Sequence, residues 1–469
     1  WLDDQGGVRG AKRLNPFNPA DPTRTAPLDD RYDTLSGMPN VNDTSMDGAS
    51  ATINWNLADN WWFKSVTAYR ESDTDTTIDF DLLPNKIADV RALYADEQLS
   101  QEFQFNYASD SWSGVFGVYW FDGEAGGTVF NNFFNLQFGT TNGTVDTESY
   151  ALYGEGTFPI NDTLSITAGL RYTDESKTAD VLNQFFANAQ FTTPIATPSD
   201  FTDSVDFQNL SPKVSLDWQI DDDTLVYGLI SRGFKSGGFN IRANVSAVPA
   251  SALPFDDESV TSFEIGTKQS FNDDTLFLNA SLFHNKYEDI QLSVFSAYDS
   301  NGDGTDDSFF GDFTNAGKAT VQGLELEMQW LATERLSISG NAAYLDATYD
   351  EFVSRNVNIA DSQYMTNAPK RSGALTAAYT WPAFGGELMA RATASYQSKV
   401  YPTTDLSEAI AQSGYSLFSA GLVWRGDGPW AFSLQGANLG DKEYRTTGYN
   451  IPVLGILTGF YGPPRQYSL

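Results

Sequence analysis

The chain has 469 residues, 41% hydrophobic and 19% charged, and its 28 Lys and Arg against 61 Asp and Glu leave a net charge of −33. That balance excludes nucleic acid as a partner, which needs a basic footprint, and the absence of cysteine excludes both a disulfide framework and a thiol nucleophile. No stretch reaches the roughly 18 consecutive apolar residues of a membrane helix, so a membrane protein of this composition has to be a barrel.

In chain order, residues 1–47 are rich in Pro, Asp and Asn with weak periodicity, and are expected to form an extracellular loop segment. From about residue 48 a period-two pattern takes over. In "TLSITAGLRY" (163–172) Leu164, Ile166, Ala168, Leu170 and Tyr172 share one face, opposite Thr163, Ser165, Thr167, Gly169 and Arg171. The split recurs in "KVSLDWQ" (213–219), with Val214, Leu216 and Trp218 together, and in "GLELEMQW" (323–330), with Leu324, Leu326, Met328 and Trp330 together. "ELMARATASY" (387–396) repeats it. Alternation sustained over about ten residues, with charges on the minority face, fits a wall that meets lipid outside and water inside. Strands of a soluble β-sandwich are usually about five or six residues long.

Short connections fall at 57–60, 109–110, 159–162, 220–223, 271–274, 331–334, 382–385 and 425–428, and long links lie between them, as at 123–145, 177–206 and 237–257. Unequal ends of this kind describe periplasmic turns and extracellular loops. Trp61, Trp62, Trp218, Trp330, Trp381, Trp424 and Trp430 sit beside the short turns, where an interfacial girdle belongs. Eight turn-linked pairs plus a last strand opening at "RQYSL" (465–469) give about seventeen strands. Because an open edge cannot face hydrocarbon, an even-numbered barrel is expected, with residues 48–469 as its transmembrane part and another segment or chain completing it.

"LVYGLISRGFKSGGFN" (225–240) ends a strand in a basic, glycine-rich flare. It is not a phosphate-binding loop, since Lys235 precedes Gly237 and Gly238 and no helical period follows. The stretch resembles the mid-barrel motif of TonB-dependent outer-membrane receptors. "GEGTFPINDTLSITAGLRYTDES" (154–176), "NAGKATVQGLELEMQW" (315–330) and "LQGANLGDKEYRTTGY" (434–449) resemble strands of the same family. The resemblance implies a bacterial outer-membrane location and a 22-strand barrel. It also implies active import of a scarce small-molecule ligand, a ferric siderophore by default, powered by the TonB complex. The family's plug domain does not lie in this sequence, so contact with TonB is expected to rest on a segment outside it. A passive porin, and import of a non-iron ligand such as a cobalamin or a plant or carbohydrate compound, stay open.

Candidate site residues follow from the extracellular links. Arg232 and Lys235 either meet lipopolysaccharide phosphates or draw ligand into the vestibule. The aromatic run 128–138, with Phe130, Phe133 and Phe134, is expected in a long loop, either gripping ligand or packing loop on loop. In "DSNGDGTDDS" (299–308), Asp299, Asn301, Asp303, Thr305 and Asp307 stand at alternate positions with Gly304 at the sixth, as in a calcium loop. Phe310 replaces its closing acid, so Ca²⁺ there competes with a solvated acidic tip; no cofactor is otherwise required. His284 is the lone histidine, within a strand pattern and without a nucleophile constellation, which points away from an enzyme.

Overall fold

The computed structural model describes residues 2–6, 11–15, 26–299, 304, 308–315, 317–354 and 357–469. β1 (Leu2–Gly6) and β2 (Ala11–Arg13) precede the first hairpin, β3 (Asn42–Ala58) with β4 (Trp61–Asp79). β5 (Ala88–Ala108) and β6 (Ser113–Phe133), β7 (Gln137–Pro159) and β8 (Leu164–Phe186), and β9 (Pro194–Asp221) and β10 (Thr224–Lys235) follow. Next come β11 (Glu258–Phe271) with β12 (Leu276–Glu288), and a side hairpin of β13 (Gln291–Tyr298) and β14 (Ser308–Asn315). β15 (Gly317–Thr333) and β16 (Leu336–Ser354) lead to the two-residue β17 (Val357–Asn358). β18 (Arg371–Pro382) with β19 (Gly386–Gln397), β20 (Tyr415–Gly426) with β21 (Ala431–Ala437), then β22 (Arg445–Ile451), β23 (Ile456–Tyr461) and β24 (Gln466–Ser468) complete the order.

All eight short connections expected from the sequence join neighbouring strands. At the turn between β11 and β12, Asn272, Asp273 and Asp274 have φ of 55°, 54° and 61°, a left-handed conformation that Asn and Asp tolerate through their local hydrogen bonding. Among the described residues eighteen strands form one antiparallel sheet, in which β3 to β12, β15, β16 and β18 to β21 register each with the next. β24 joins β21 through Gln435↔Ser468. β3 registers with β4 along its whole length, from Asn42↔Thr76 to Ala58↔Trp61, so the expected first strand begins at Asn42 rather than near 48, and on its other edge β1 joins it only from Leu2↔Met46 to Gly6↔Asn42.

Register fixes which way each side chain points, because partners across the ladder share a face. Leu164↔Trp218, Ile166↔Leu216 and Ala168↔Val214 make an outer apolar band, continued by Leu282↔Leu324 and Ala280↔Leu326. Leu216, Trp218 and Leu326 are exposed, as a lipid-facing wall requires. Polar groups take the opposite face. The Tyr153 hydroxyl donates to Glu102, Arg171 lies 5.4 Å over the Tyr119 ring and 5.7 Å over Tyr153, and Lys213 Nζ pairs with Glu155 at 3.0 Å.

Two aromatic girdles bound the apolar band. At the short-turn end, Trp61 stacks near Tyr107 (4.7 Å between centroids), Tyr107 on Trp112 (4.2 Å) and Trp112 on Phe158 (5.9 Å). At the other end Tyr69, Tyr150 and Tyr172 point outward, and their hydroxyls reach Glu71 (2.5 Å), Glu148 (2.5 Å) and Asp174 (3.3 Å), each acid two residues away along its strand. Trp61 and Tyr69 are eight residues apart, about 26 Å along a strand, which at the tilt of a membrane barrel crosses an apolar layer about 20 Å thick.

The strands do not stop at the upper girdle. β6 runs to Phe133 and β7 restarts at Gln137, so the long link expected at 123–145 is ladder with a turn at its tip, and 177–206 is likewise mostly β8 and β9. Above the membrane neither face meets lipid, so the period-two signal fades while the backbone hydrogen bonds persist. The buried side chains also collect at this end: Leu83, Ala88, Val181, Phe239, Ile410 and Ile456 are among them. β13–β14 and a three-stranded sheet of β2, β23 and β22 lie outside the main ladder.

Candidate functional site

The glycine-rich flare positions the site. Beyond Lys235 the chain turns across the barrel mouth, and Phe239 and Ile241 pack on the inward-facing Val145, Ala179, Val181, Phe201 and Val205 of β7 to β9. The role of the glycines here is space and not a positive φ, which neither Gly237 nor Gly238 adopts. A Cβ on Gly237 would stand 2.0 Å from the Phe255 carbonyl oxygen and 2.7 Å from the Phe207 ring, while Gly238 N–H donates to the same carbonyl at 3.1 Å.

Side chains that the sequence did not single out fasten this segment. Lys177 Nζ donates to the Gly237 carbonyl at 2.8 Å. Asn183 Nδ2 donates to the carbonyls of Ile241 (3.0 Å) and Ala243 (2.9 Å), and Ser199 Oγ to Ala243 (2.6 Å). Gln291 Nε2 reaches the carbonyls of Lys235, Ser236 and Asp256 at 3.0–3.2 Å.

Beneath the fastened segment lies a cavity of about 460 Å³, walled by the upper inner faces of β4 to β8 and roofed by 242–244, Gly311 and the β22 end. Phe80, Val90, Tyr94 and Phe133 give it apolar and aromatic walls, Asn131 adds an amide, and Arg242 is the one charged side chain among its described lining residues. Arg242 Nη2 donates to the Asp312 carbonyl at 3.3 Å. Burial lowers its pKa and the charge of Asp312 opposes the shift. Gly311 leaves room for the guanidinium, since a Cβ there would meet Arg242 Nη1 at 2.8 Å. A volume of this size with few polar groups suits a small molecule.

The residues expected from sequence separate. Phe133 lines the cavity. Phe130 instead packs on Phe191 (5.1 Å), which also meets Phe138 and Phe186. Phe134 occupies the turn at φ 56° and is exposed. All three belong to the β6–β7 hairpin rather than to a long loop. Lys235 takes the inward parity of β10 and lies 5.9 Å over the Phe313 ring, whereas Arg232 registers with Thr261 on the outer face, its Nη2 3.4 Å from Ser259 Oγ. Asn301, Asp303, Thr305 and Asp307 lie outside the described residues. Of that loop, Gly304 has φ +86° and donates its N–H to Asp299 Oδ2 at 2.6 Å. His284 faces outward with Leu282, its Nδ1 3.1 Å from Gln322 Oε1.

A lipid-facing antiparallel barrel wall whose extracellular segments fold inward over a small-molecule cavity defines an outer-membrane receptor barrel. The profile of the family "TonB dependent receptor-like, beta-barrel" matches residues 1–439, and the chain belongs to that family. It is 26% identical over 312 residues to the pesticin receptor of Yersinia enterocolitica, covering 66% of this chain and 42% of that protein. It is 27% identical over 169 residues to the metal-pseudopaline receptor of Pseudomonas aeruginosa, covering 36% of this chain and 20% of that protein. Among solved structures it superposes on the ferric yersiniabactin uptake receptor of Yersinia pestis with a TM-score of 0.72 at 20% identity, over 91% of this chain and 60% of the other. The siderophore receptor PiuA of Acinetobacter baumannii gives 0.70 at 16% identity, over 99% and 69%. The chain therefore spans less than half the length of the pesticin receptor it matches.

Proposed function

We propose that this chain is the barrel part of an outer-membrane receptor that takes a ferric siderophore from the medium and delivers it to the periplasm with energy supplied by the TonB complex. The observation that carries the reading is the mouth cavity, whose aromatic and amide walls include one charged side chain among the described lining residues, Arg242. An iron chelate offers planar, partly apolar ligand arms to such walls and anionic oxygens to a guanidinium. The relatives named for siderophore or metal-chelate uptake support the same substrate class. TonB contact and the remaining strands belong to a segment or chain outside this sequence, and the edge of β3 below Met46 is where such strands would add. Arg232, outward and just above the apolar band, is assigned to lipopolysaccharide phosphate. The positive φ of Gly304 supports weak Ca²⁺ binding by the 299–307 loop.

The test is uptake of radioiron siderophores by iron-starved cells carrying the full receptor. Arg242→Ala should weaken siderophore binding by about tenfold or more, the worth of a charged hydrogen bond of about 1.5–3 kcal/mol. Unchanged binding removes the cavity from the reading. Uptake that persists in cells lacking TonB identifies a passive channel instead.

A further inference from the structure

Beside the cavity, the link from β4 to β5 gathers three carboxylates. Asp79 ends β4, Asp81 lies in the link and Asp89 opens β5, and one oxygen from each lies within 4.8 Å of the others. Asp81 is completely buried and Asp89 is 5% exposed. Nearly every oxygen is accounted for. Asp79 Oδ1 accepts the Leu82 N–H (2.7 Å), and its Oδ2 accepts the Ser36 hydroxyl (2.8 Å) and the Gly37 N–H (3.0 Å). Asp81 Oδ1 accepts Leu83 N–H (3.0 Å), and its Oδ2 accepts those of Ile87 (3.1 Å) and Ala88 (2.7 Å). Asp89 Oδ2 takes the Lys86 ammonium at 3.1 Å. Asp89 Oδ1 is different: it is buried and has no hydrogen-bond partner among the described residues.

An anionic oxygen shut away from water without a donor is expensive, and native proteins rarely leave one so. Among the described residues the surrounding cations are Lys86 and Arg13, whose Nη1 goes to the Asp81 carbonyl at 2.8 Å and whose Nη2 goes to the Gly455 carbonyl at 2.6 Å. Two positive charges thus face three carboxylates. Each carboxylate oxygen carries two lone-pair sites, so Asp79 Oδ1 and Asp81 Oδ1, which accept one amide each, can still ligate a cation beside Asp89 Oδ1.

We propose that Asp79, Asp81 and Asp89 form a Ca²⁺ site, with Asp89 Oδ1 as its strongest ligand. Three hard oxygens on irregular loop backbone suit Ca²⁺, which accepts six to eight ligands in flexible geometry, better than Mg²⁺, which demands a near-ideal octahedron. The ion would join the end of β4, the 36–37 segment and the start of β5. Phe80 and Ala88, between and beside its ligands, line the cavity, and Phe80 also packs on Tyr449 of β22 at 4.7 Å. Calcium at this point would therefore hold one wall of the cavity in place. The metal site stands on its own residues; its effect on ligand affinity rests on the receptor reading above.

The test uses the full chain in detergent micelles, stripped with chelator, in an Asp303→Asn background so that the 299–307 loop contributes nothing. Equilibrium dialysis with radioactive calcium should find one ion per chain, weakened at least tenfold by adding Asp89→Asn. Trypsin cleavage after Lys86, whose side chain is 56% exposed, should slow at least tenfold with calcium and should not respond to calcium in the Asp89→Asn protein. Folding of each variant is checked by heat-modifiable gel migration. Should Asp89→Asn not fold, calcium protection of Lys86 in the Asp303→Asn protein alone decides the matter. No bound calcium, equal binding by Asp89→Asn, or equal protection by Mg²⁺ overturns the proposal. Siderophore affinity that ignores calcium while the ion binds would leave the site intact and sever it from transport.

Discussion

Gly237 has no room for a side chain, and its neighbours cannot give way cheaply, because the nearest is the Phe255 backbone carbonyl that also receives the Gly238 N–H. Gly237→Ala should therefore part the flare from residue 255 and cost about 1–3 kcal/mol of local stability, seen as faster trypsin cleavage after Arg242 with the barrel still heat-modifiable. Asp81 makes a second single-residue case. Burial, reinforced by Asp79, pushes its carboxyl from 3.8 up to about 7. A folded pKa above the unfolded one means that the folded chain holds the extra proton, so this contribution is complete below pH 3.8 and is lost as pH rises through 7. In chelator, hydrogen-exchange protection of the Ile87 and Ala88 amides, which donate to this carboxylate, should fall between pH 5 and 8. Asp81→Asn should flatten the profile. Neither property can be read from the sequence: "SGG" and "DFD" are local strings, and what makes Gly237 and Asp81 special is a distant carbonyl and a burial set by other loops.

Elements divide the same way. The eight short turns and the alternating strands between them were legible, because a tight turn is written in three or four residues and a lipid-facing wall in every second one. The docking of 236–257 was not, for its fasteners Lys177, Asn183, Ser199 and Gln291 come from two other strands and a side hairpin, and each is unremarkable in its own stretch. Among the phenylalanines, sequence grouped Phe130, Phe133 and Phe134 as one surface, and the turn at 134–136 gives them three different surroundings. Asn183 is the most informative fastener, since its amide holds two carbonyls of the docked segment while its oxygen accepts the Asn142 N–H at 3.0 Å. Asn183→Ala should release residues 241–243 at a cost of about 1–3 kcal/mol. Hydrogen exchange should rise at 241–246 and stay unchanged in β8 below Tyr172. A rise spread evenly along β8 would show that the residue supports the strand and not the segment above it.

Across the whole molecule, one register decides what every strand residue meets, and adjacent positions of β9 let it be tested. Leu216 lies on the outer face between Ile166 and Gly228, and Ser215 on the inner face between Thr167 and Leu229. Leu216 is 46% exposed, which in water would make its replacement harmless; against lipid it is the group the bilayer solvates. Both positions sit within three residues of Trp218 in the short-turn girdle, so depth is nearly constant and the face is the variable. Leu216→Arg should cost about 1–2 kcal/mol of folding free energy, less than the roughly 2–4 kcal/mol of the bilayer midplane, because the girdle is near and the long side chain reaches for the interface. Ser215→Arg enters a wet, acidic lumen, where Asp217 stands beside it at 3.2 Å from the Ser215 hydroxyl, and should cost less than about 1 kcal/mol. Refolding into phospholipid vesicles along a urea series measures both. Equal costs at the two positions would mean that the outer face does not meet hydrocarbon, and a reversed order would place lipid on the side assigned here to water.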